Sequence, residues 1–342
     1  MKKIVTIGGG TGSYTLLSGL KNYAVDITAV VSMADNGGST GRLRDELGVL
    51  PPGDVRQCLV ALSDSSEQLR ELMNYRFDNG DVKGHNFGNL LLSALEKIGG
   101  DFTSGLKEAA KILNIKGKVL PVSEEKMNLA IKLRNGKILV GERYLDDNVE
   151  VRTVGIDKVF LKPKVLANSQ VLEAIRRADI IVLGPGDYYG SIIPNLLVGN
   201  ISNAICQSKA TVIYNCNLTN KKGQTDGFDV DKYAQGINEY LGAQRIDFVL
   251  CSAGKPSRAA VERYEKKEGK NSIVEFKRDS FPDRPYKVVM ANVLGAMKVK
   301  VDKNDAISEG RSFIRHSSKR LAKAVILLSE MDEYKKVIKE II

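Results

Sequence analysis

A glycine-rich turn near the start of the chain has the residue types and spacing that can seat a phosphate group. The β-branched run of residues 4–7 predicts a buried parallel strand, and the sequence GGGTG at residues 8–12 allows a tight turn into a helix. Thr11 or Ser13 is the expected N-cap of that helix. Because amides at a helix N-terminus attract anions, the turn predicts a phosphate site. The predicted ligands are Gly9, Gly10, Thr11 and Gly12.

This first turn matches neither of two common phosphate motifs. No Gly-Lys-Ser/Thr follows it, and Ser13 stands where a Gly-x-Gly-x-x-Gly motif has its third glycine. The same glycines would also suit close packing of a helix against a strand. Phosphate binding and packing are therefore both open from this stretch alone.

A second polar segment, DNGGSTG at residues 35–41, follows the next apolar run. It begins about twenty residues past the glycine turn, where dinucleotide-binding folds place a ribose-binding carboxylate. A carboxylate beside arginines also suits a phosphate held with a divalent cation, so Asp35 is predicted as a ribose acceptor or a magnesium ligand. The alternative is a solvated loop with surface arginines. The other predicted ligands here are Asn36, Gly37, Gly38, Ser39, Arg42 and Arg44.

Two further segments precede helical patterns. In PPGDVRQ (residues 51–57), Asp54 is predicted to cap a helix that begins near Val55, which is a structural role. In GHNFGNL (residues 84–90), amide and imidazole groups between glycines could recognise the edge of a ligand. The alternative is a loop whose asparagines bond their own backbone. The predicted ligands of this segment are His85, Asn86 and Asn89.

A fourth polar loop, GPGDYYGSIIPN at residues 184–195, follows an apolar run at residues 179–183 that predicts a strand buried on both faces. In open parallel sheets, ligands bind beyond the carboxyl ends of the strands. Several consecutive strands here end in glycine-bearing polar loops, so we expect these loops to meet at one site. The predicted ligands are Gly186, Tyr189 and Asn195, together with Asn217 after the next strand.

The order of these motifs resembles the CofD-like family, and within it the bacterial YvcK branch of gluconeogenesis factors rather than the phospholactate transferases. The match covers roughly residues 1–330. Asp187, Tyr188 and Gly190 depart from the Gly-Ser-Leu-Tyr-Thr-Ser that relatives more often show. The resemblance implies an α/β fold, Rossmann-like, with a mostly parallel sheet and helices on both faces.

The resemblance also implies a function. The YvcK branch implies a cytoplasmic regulatory factor needed for cell shape and for growth on gluconeogenic carbon sources, with a pocket for a nucleotide-sugar such as UDP-N-acetylglucosamine. The alternative is a magnesium-dependent transferase of the CofD type with a nucleotide diphosphate donor, in which Asp35 would hold the metal. Protein partners in cell-wall regulation and a homodimer are further expectations, and whether the chain turns over a substrate is left open.

The domain organisation is predicted from the order of apolar and polar segments along the chain. We expect a single α/β domain over residues 1–330 and a C-terminal helical tail at residues 331–342. Short alternating runs at residues 129–133, 137–140 and 149–154 predict antiparallel hairpins, which form a β insertion at about residues 118–165. The insertion could be a lid, an oligomer contact or a packing elaboration.

Composition narrows the function classes. The chain has 342 residues, 43% of them hydrophobic, and no apolar run long enough to predict a membrane span. It opens on strand-like residues, which predicts no secretory leader and a cytoplasmic location. The four cysteines form no CxxC pair and there are two histidines, which argues against disulfides and structural zinc. The net charge is +10, but lysines alternate with acids in the basic C-terminal quarter and aromatic content is 6%, which does not favour nucleic acid.

Overall fold

The structure, a computed structural model, describes residues 1–146, 148–295 and 313–341 of the chain. The strands are β1 (Lys2–Gly8), β2 (Val25–Val31), β3 (Lys118–Pro121), β4 (Asn128–Leu133), β5 (Ile138–Val140), β6 (Ile156–Lys162), β7 (Ile180–Leu183), β8 (Thr211–Asn215), β9 (Phe248–Ser252) and β10 (Lys287–Ala291). The helices are α1 (Gly10–Leu20), α2 (Gly38–Leu47), α3 (Gly53–Leu62), α4 (Glu67–Asn74), α5 (Phe87–Gly99), α6 (Phe102–Ile112), α7 (Val149–Val154), α8 (Ser169–Arg177), α9 (Ile193–Leu196), α10 (Ile201–Gln207), α11 (Val230–Leu241), α12 (Arg258–Glu268) and α13 (Ser318–Ile341).

The main sheet has seven strands in the order β10-β9-β8-β7-β1-β2-β3, and each neighbouring pair is parallel. The chain starts in the middle of this sheet, at β1, and adds β2 and β3 on one side before it crosses to β7 on the other. The order therefore reverses between β1 and β7. Such a switch point opens a crevice at the carboxyl ends of the two strands, where ligands bind in folds of this kind.

Burial explains why these runs form a sheet with helices on both faces. All four residues of β7 are buried, as the continuous apolar run predicts for a parallel strand covered on both sides. Helix α1 packs with α3 and α13, whereas α8, α10 and α11 form a separate group. Gly19 allows α13 to cross α1 closely, because a Cβ there would lie 2.2 Å from the carbonyl oxygen of Ser318. The predicted α/β fold is confirmed.

A small antiparallel sheet has the order β5-β4-β6 and confirms the predicted antiparallel β element. Its extent differs from the expectation, because Lys118–Pro121 pairs with β2 in the main sheet. The strand predicted at residues 149–154 is wrong. These residues form helix α7, since the side chain of Asn148 accepts a hydrogen bond from the backbone N–H of Val151 and caps it. The third strand is Ile156–Lys162.

The C-terminal helix α13 is continuous from Ser318 to Ile341 and so runs across the predicted boundary between residues 330 and 331. The division into one domain and a tail stays a prediction. In the described ranges, no helix combines the length and apolar character needed to cross a membrane.

Candidate functional site

A cavity of about 810 Å³ lies at the switch point between β1 and β7. Its walls come from the first glycine turn, the loop after β7, the segment after β8, the end of the insertion, helix α12 and the segment before α13. Six of the ligands predicted from sequence line this cavity. They are Gly9, Gly10, Thr11, Gly12, Gly186 and Asn217.

The N-terminus of α1 lines the cavity. The helix begins at Gly10 with Gly9, which has no side chain, as N-cap, and its own first turn holds no acidic residue. From the neighbouring helix α3, the Asp54 carboxylate is hydrogen-bonded to the backbone N–H of Gly10. The predicted capping by Thr11 or Ser13 is wrong, because both residues lie inside the helix. Since the first amides of a helix have no intrahelical acceptor, this end of α1 can bind an anion.

Gly12 fixes the distance between α1 and the loop after β7. A Cβ on Gly12 would lie 2.1 Å from the carbonyl oxygen of Pro185 and 2.6 Å from the Cα of Gly186, so only glycine fits. The loop is held from its other side by Asn217, whose Nδ2 donates to the carbonyl oxygen of Gly186 at 2.8 Å. The hydroxyl of Tyr214 donates to Asn217 Oδ1 at 2.9 Å and fixes that side chain. The turn and the loop therefore form one rigid wall.

Asp54 has a different place from the one the sequence suggested. Helix α3 begins at Gly53 with Pro52 as N-cap, so Asp54 lies in the first turn and does not cap it. Its carboxylate faces the glycine turn: a Cβ on Gly9 would lie 2.2 Å from Asp54 Oδ2. Burial, then the charge of Asp35, raises the pKa of Asp54 to about 7. Sequence reasoning missed this residue, because its signal was that of a helix start.

Further carboxylates surround Asp54. Asp35 Oδ1 accepts the backbone N–H of Gly37 at 2.8 Å, yet burial outweighs this bond and raises the pKa of Asp35. Glu142, on the 3₁₀ turn Glu142–Leu145 of the insertion, also has a raised pKa, first because of burial and then because of Asp35 and the neighbouring acids. Among the described residues, no three His, Cys, Asp or Glu side chains are arranged to hold a metal ion. Because the charge of Asp35 raises the pKa of both Asp54 and Glu142, the three carboxylates repel one another.

The cations of the cavity were also missed by sequence reasoning. Lys221 Nζ lies 2.5 Å from Asp187 Oδ2 and 3.2 Å from Asp146 Oδ1. Burial opposes its charge, but the two carboxylates together raise the pKa of Lys221, so the ammonium stays charged. Arg152 of the insertion pairs with Glu268 at 3.3 Å. Neither Lys221 nor Arg152 belongs to a spaced pattern of charges in the sequence, so spacing gives no signal for it. Lys267 and Arg315 also line the cavity.

The second and third motifs form a buried polar network outside the cavity lining. Ser39 Oγ lies 3.3 Å from His85 Nδ1 and accepts hydrogen bonds from the Asn86 backbone N–H and from Asn89 Nδ2. Arg56 Nε donates to Asn89 Oδ1 at 2.9 Å, and Asn86 caps α5 through Oδ1. Burial, and next the charge of Arg42, lowers the pKa of His85, so the imidazole is neutral at pH 7. A ligand role for these side chains stays a prediction.

Loss of the Ser39 hydroxyl should destabilise this network. Ser39→Ala leaves one amide N–H, one side-chain amide and the His85 nitrogen without their shared partner, which should lower the free energy of unfolding by about 2 kcal/mol. Urea unfolding followed by circular dichroism measures it. Ser18→Ala, at a half-buried position of α1, is the matched control and should change stability by less than about 0.5 kcal/mol. If Ser39→Ala and Ser18→Ala changed the free energy of unfolding equally, the Ser39 hydroxyl would not be the shared partner of this network.

The predicted arginines point away from the cavity. Arg42 is exposed, and its Nη2 donates to the carbonyl oxygen of Lys83 at 3.1 Å. Arg44 Nη2 donates to Asn128 Oδ1 at 2.5 Å. Neither side chain lines the cavity, whose lining cations come from other segments.

The remaining predicted residues support the walls. Asn36 Oδ1 accepts the backbone N–H of Arg143 and ties the second motif to the insertion, while Gly37 and Gly38 begin α2 outside the lining. Tyr189 is buried against Tyr188, with ring centroids 4.8 Å apart. Asn195 is fully buried and donates from Nδ2 to the carbonyl oxygens of Gly8 and Ser191. These residues position the turn and the loop.

Comparison with known proteins identifies the family. The family model described as 2-phospho-L-lactate transferase CofD matches residues 4–294 of the chain. The chain belongs to the CofD family. A protein of Thermotoga maritima is 44% identical over 329 residues, which is 96% of this CofD-family chain and 99% of the relative. The gluconeogenesis factor of Halalkalibacterium halodurans is 39% identical over 327 residues, 95% of this chain and 96% of that protein.

A solved structure agrees with the fold of this CofD-family chain. The crystal structure of a UPF0052 family protein from Bacillus halodurans superposes with a TM-score of 0.86 at 37% identity, covering 95% of this chain and 100% of that one. The motif order that predicted a CofD-like chain of the gluconeogenesis-factor type is therefore confirmed over nearly the whole length.

Proposed function

We propose that this CofD-family chain binds a nucleoside diphosphate sugar, such as UDP-N-acetylglucosamine, in the cavity at the switch point. The observation that carries the proposal is the glycine-rich N-terminus of α1, which lines a cavity of about 810 Å³ and has no acidic residue in its own first turn. The Asp54 carboxylate, whose raised pKa of about 7 favours its neutral form, is hydrogen-bonded to the Gly10 amide, so a phosphate would compete with Asp54 for that amide. A cavity of this size is within the range that takes a ligand of several linked rings and phosphates. The amides of Gly10, Thr11 and Gly12 would bind the diphosphate.

Charge around the helix terminus supports a diphosphate. Lys221, Arg152, Lys267 and Arg315 bring cationic groups into one cavity lining. Such groups form charge-assisted hydrogen bonds with phosphate, which are stronger than bonds between neutral groups. The helix dipole adds to this attraction within the first turn. A neutral sugar would gain little from these groups, so the diphosphate contributes most of the affinity.

The part of the cavity lining formed by α12 and the segment before α13 suits the base and the sugar. Tyr264 is 5% exposed and lines the cavity with Ile314 and His316. An aromatic face beside aliphatic and imidazole groups can contact a flat base on one side and bond its polar edge on the other. Burial lowers the pKa of His316 to about 4, so this imidazole is neutral at pH 7. It is hydrogen-bonded to the backbone of Cys216, and its other ring nitrogen would contact the ligand.

The proposed role is regulatory. Relatives over nearly the full length are named gluconeogenesis factors, and a binding protein of that kind needs ligand affinity coupled to a surface that partners read. We propose that the chain acts in the cytoplasm as a ligand-dependent factor for cell shape during growth on gluconeogenic carbon. The insertion, which contributes Leu145, Asp146 and Arg152 to the cavity, would report whether the ligand is bound.

Calorimetry tests the binding proposal. Titration with UDP-N-acetylglucosamine, uridine diphosphate and free N-acetylglucosamine should give measurable affinity for the first two and at least 100-fold weaker affinity for the free sugar, because the cationic groups and the helix terminus bind phosphate. Equal affinity for the sugar with and without its diphosphate would rule out a phosphate-binding site at the N-terminus of α1.

A magnesium-dependent transferase is the second candidate, and the grouped carboxylates favour it. Magnesium is usually held by one or two carboxylates plus substrate phosphates. Asp54, beside the glycine turn, and Asp35, whose charge acts on Asp54, have the right donor atoms. A bound magnesium ion would neutralise charge on the transferring group. Asp35 and Asp54 would orient the diphosphate, and the amides of α1 would stabilise its charge.

Phosphorus NMR separates the two candidates. Incubation with a nucleotide-sugar, magnesium and acceptor alcohols should leave the diphosphate signals intact if the chain is a binding factor. Conversion of these signals to a nucleoside monophosphate and a new phosphodiester, over several turnovers, would establish the transferase and overturn the regulatory proposal.

A further inference from the structure

One ammonium group in the cavity is shared by two carboxylates that come from different parts of the fold. Lys221 follows β8, Asp187 belongs to the loop after β7, and Asp146 lies at the end of the insertion's 3₁₀ turn. The ammonium is 2.5 Å from Asp187 and 3.2 Å from Asp146, and all three residues line the cavity. The three side chains of this triad together carry a net charge of −1, which repels an anion. A diphosphate beside them would therefore be attracted only if the ammonium bound the phosphate in place of one carboxylate.

The two carboxylates differ in how firmly they are held. The side chain of Asp187 is 22% exposed, and its Oδ1 also accepts the backbone N–H of Gly190 at 2.7 Å. The side chain of Asp146 is 71% exposed and has the longer contact with Lys221. Water can solvate Asp146 when the ammonium leaves, whereas Asp187 would remain as a half-buried charge. Asp146 is therefore the partner that Lys221 exchanges at lower cost.

We propose that Asp146 is an internal competitor for Lys221 and sets the affinity of the cavity for nucleoside diphosphates. A phosphate at the N-terminus of α1 takes the ammonium from Asp146, and the contact with Asp187 keeps Lys221 at the cavity wall. The inference rests on the proposed function, since it concerns the same ligand and the same seat.

The insertion does not depend on this one contact for its position. Gln224 Nε2 donates to the carbonyl oxygen of Leu145 at 2.6 Å, and the backbone N–H of Ile156 donates to the carbonyl oxygen of Gly223 at 2.9 Å. Removal of the Asp146 charge thus leaves the insertion attached to the segment after β8. An Asp146 variant changes the competition for Lys221 without removing the wall.

The test is a double-mutant cycle with uridine diphosphate as the probe, measured by calorimetry. Asp146→Asn should tighten binding roughly two- to fivefold, as expected when an exposed ion pair of this strength no longer competes. Lys221→Gln should weaken binding about tenfold. Asp146→Asn in the Lys221→Gln background should give no tightening, because there is no ammonium left to release. Glu150→Gln, which removes an exposed insertion acid paired with Lys137, is the matched control and should leave the affinity unchanged.

Competition and a structural role predict opposite changes in affinity for Asp146→Asn. A structural role for the triad predicts that Asp146→Asn weakens binding, and that result would overturn the proposal. Equal tightening in both backgrounds would also overturn it, because it would show a general electrostatic effect in place of competition. If the wild-type chain and every variant fail to bind uridine diphosphate, both the proposed function and this inference fall. Binding with unchanged affinity in Asp146→Asn removes this inference alone.

Discussion

Substitution of Gly12 by alanine should weaken ligand binding strongly and destabilise the fold. The new Cβ would meet the Pro185 carbonyl oxygen at 2.1 Å and its carbon at 2.5 Å, and both are backbone atoms that cannot rotate away. Helix α1 and the loop after β7 must separate by roughly 1 Å, which should cost about 3 kcal/mol of unfolding free energy. A displacement of that size at a binding site should lower the affinity for a nucleoside diphosphate about 100-fold.

Urea unfolding and calorimetry measure the two effects of Gly12→Ala. Gly37→Ala is the matched control for stability, because a Cβ there would meet only Asp35 Oδ1, at 3.4 Å, and the φ of −87° suits alanine. It should cost less than about 1 kcal/mol. A Gly12→Ala protein with the stability of the control would show that the close contact between helix and loop is not needed.

Neutralisation of Asp54 should stabilise the protein above pH 7. The folded-state pKa of about 7 lies above the ordinary value of 3.8, so the native state holds this proton more tightly than the unfolded chain does. The free energy of unfolding of the wild type should therefore fall as the pH rises from about 4 to about 7, with a slope of up to about 1.4 kcal/mol per pH unit from this group. Asp54→Asn removes that contribution.

The expected result is a gain of about 4 kcal/mol for Asp54→Asn at pH 7.5, since the folded-state pKa lies about 3 above its ordinary value, and no difference at pH 4, where the wild-type carboxyl of the folded protein is already protonated. Urea unfolding across this pH range measures it. In metal-free buffer the variant should also bind uridine diphosphate about tenfold more tightly, because a like charge has left the helix terminus. Wild type and variant with parallel pH profiles would contradict the buried, repelled state of Asp54.

The sequence predicted the scaffold well, because the signals for it are local. The apolar runs before residues 8, 184 and 215 fit buried parallel strands, and the structure shows β1, β7 and β8 at these places. The glycine turn pointed to a helix terminus at the carboxyl end of β1, which is where the cavity opens. The error at residues 149–154 arose because a short run of alternating valines fits a strand and a helix equally well, and the cap at Asn148 decided it.

The chemistry of the cavity could be predicted only in part. Arg42 and Arg44 follow a glycine loop in sequence, but the direction of α2 takes them to Lys83 and Asn128. Lys221 was not among the predicted ligands of the segment after β8, and it reaches the cavity because β8 lies beside β7. The order of the strands in the sheet determines which charged side chains lie beside which loops. No single segment of the sequence predicts that order.

The polar segment at residues 84–90 shows a second limit of sequence reasoning. His85, Asn86 and Asn89 have the groups that could recognise a ligand, but the structure places their hydrogen bonds on Ser39, Tyr75 and Arg56. Polar side chains between glycines fit both uses, because buried amides need partners whether these come from a ligand or from the protein. Only the packing of α2 against α5 distinguishes them.

A crystal structure of the chain with UDP-N-acetylglucosamine tests the central claim most directly. We expect the diphosphate within hydrogen-bonding distance of the backbone amides of Gly10, Thr11 and Gly12, with the Lys221 ammonium on a phosphate oxygen and the base against Tyr264. Density for the ligand at residues 35–41, with the N-terminus of α1 bonded to water alone, would contradict the account.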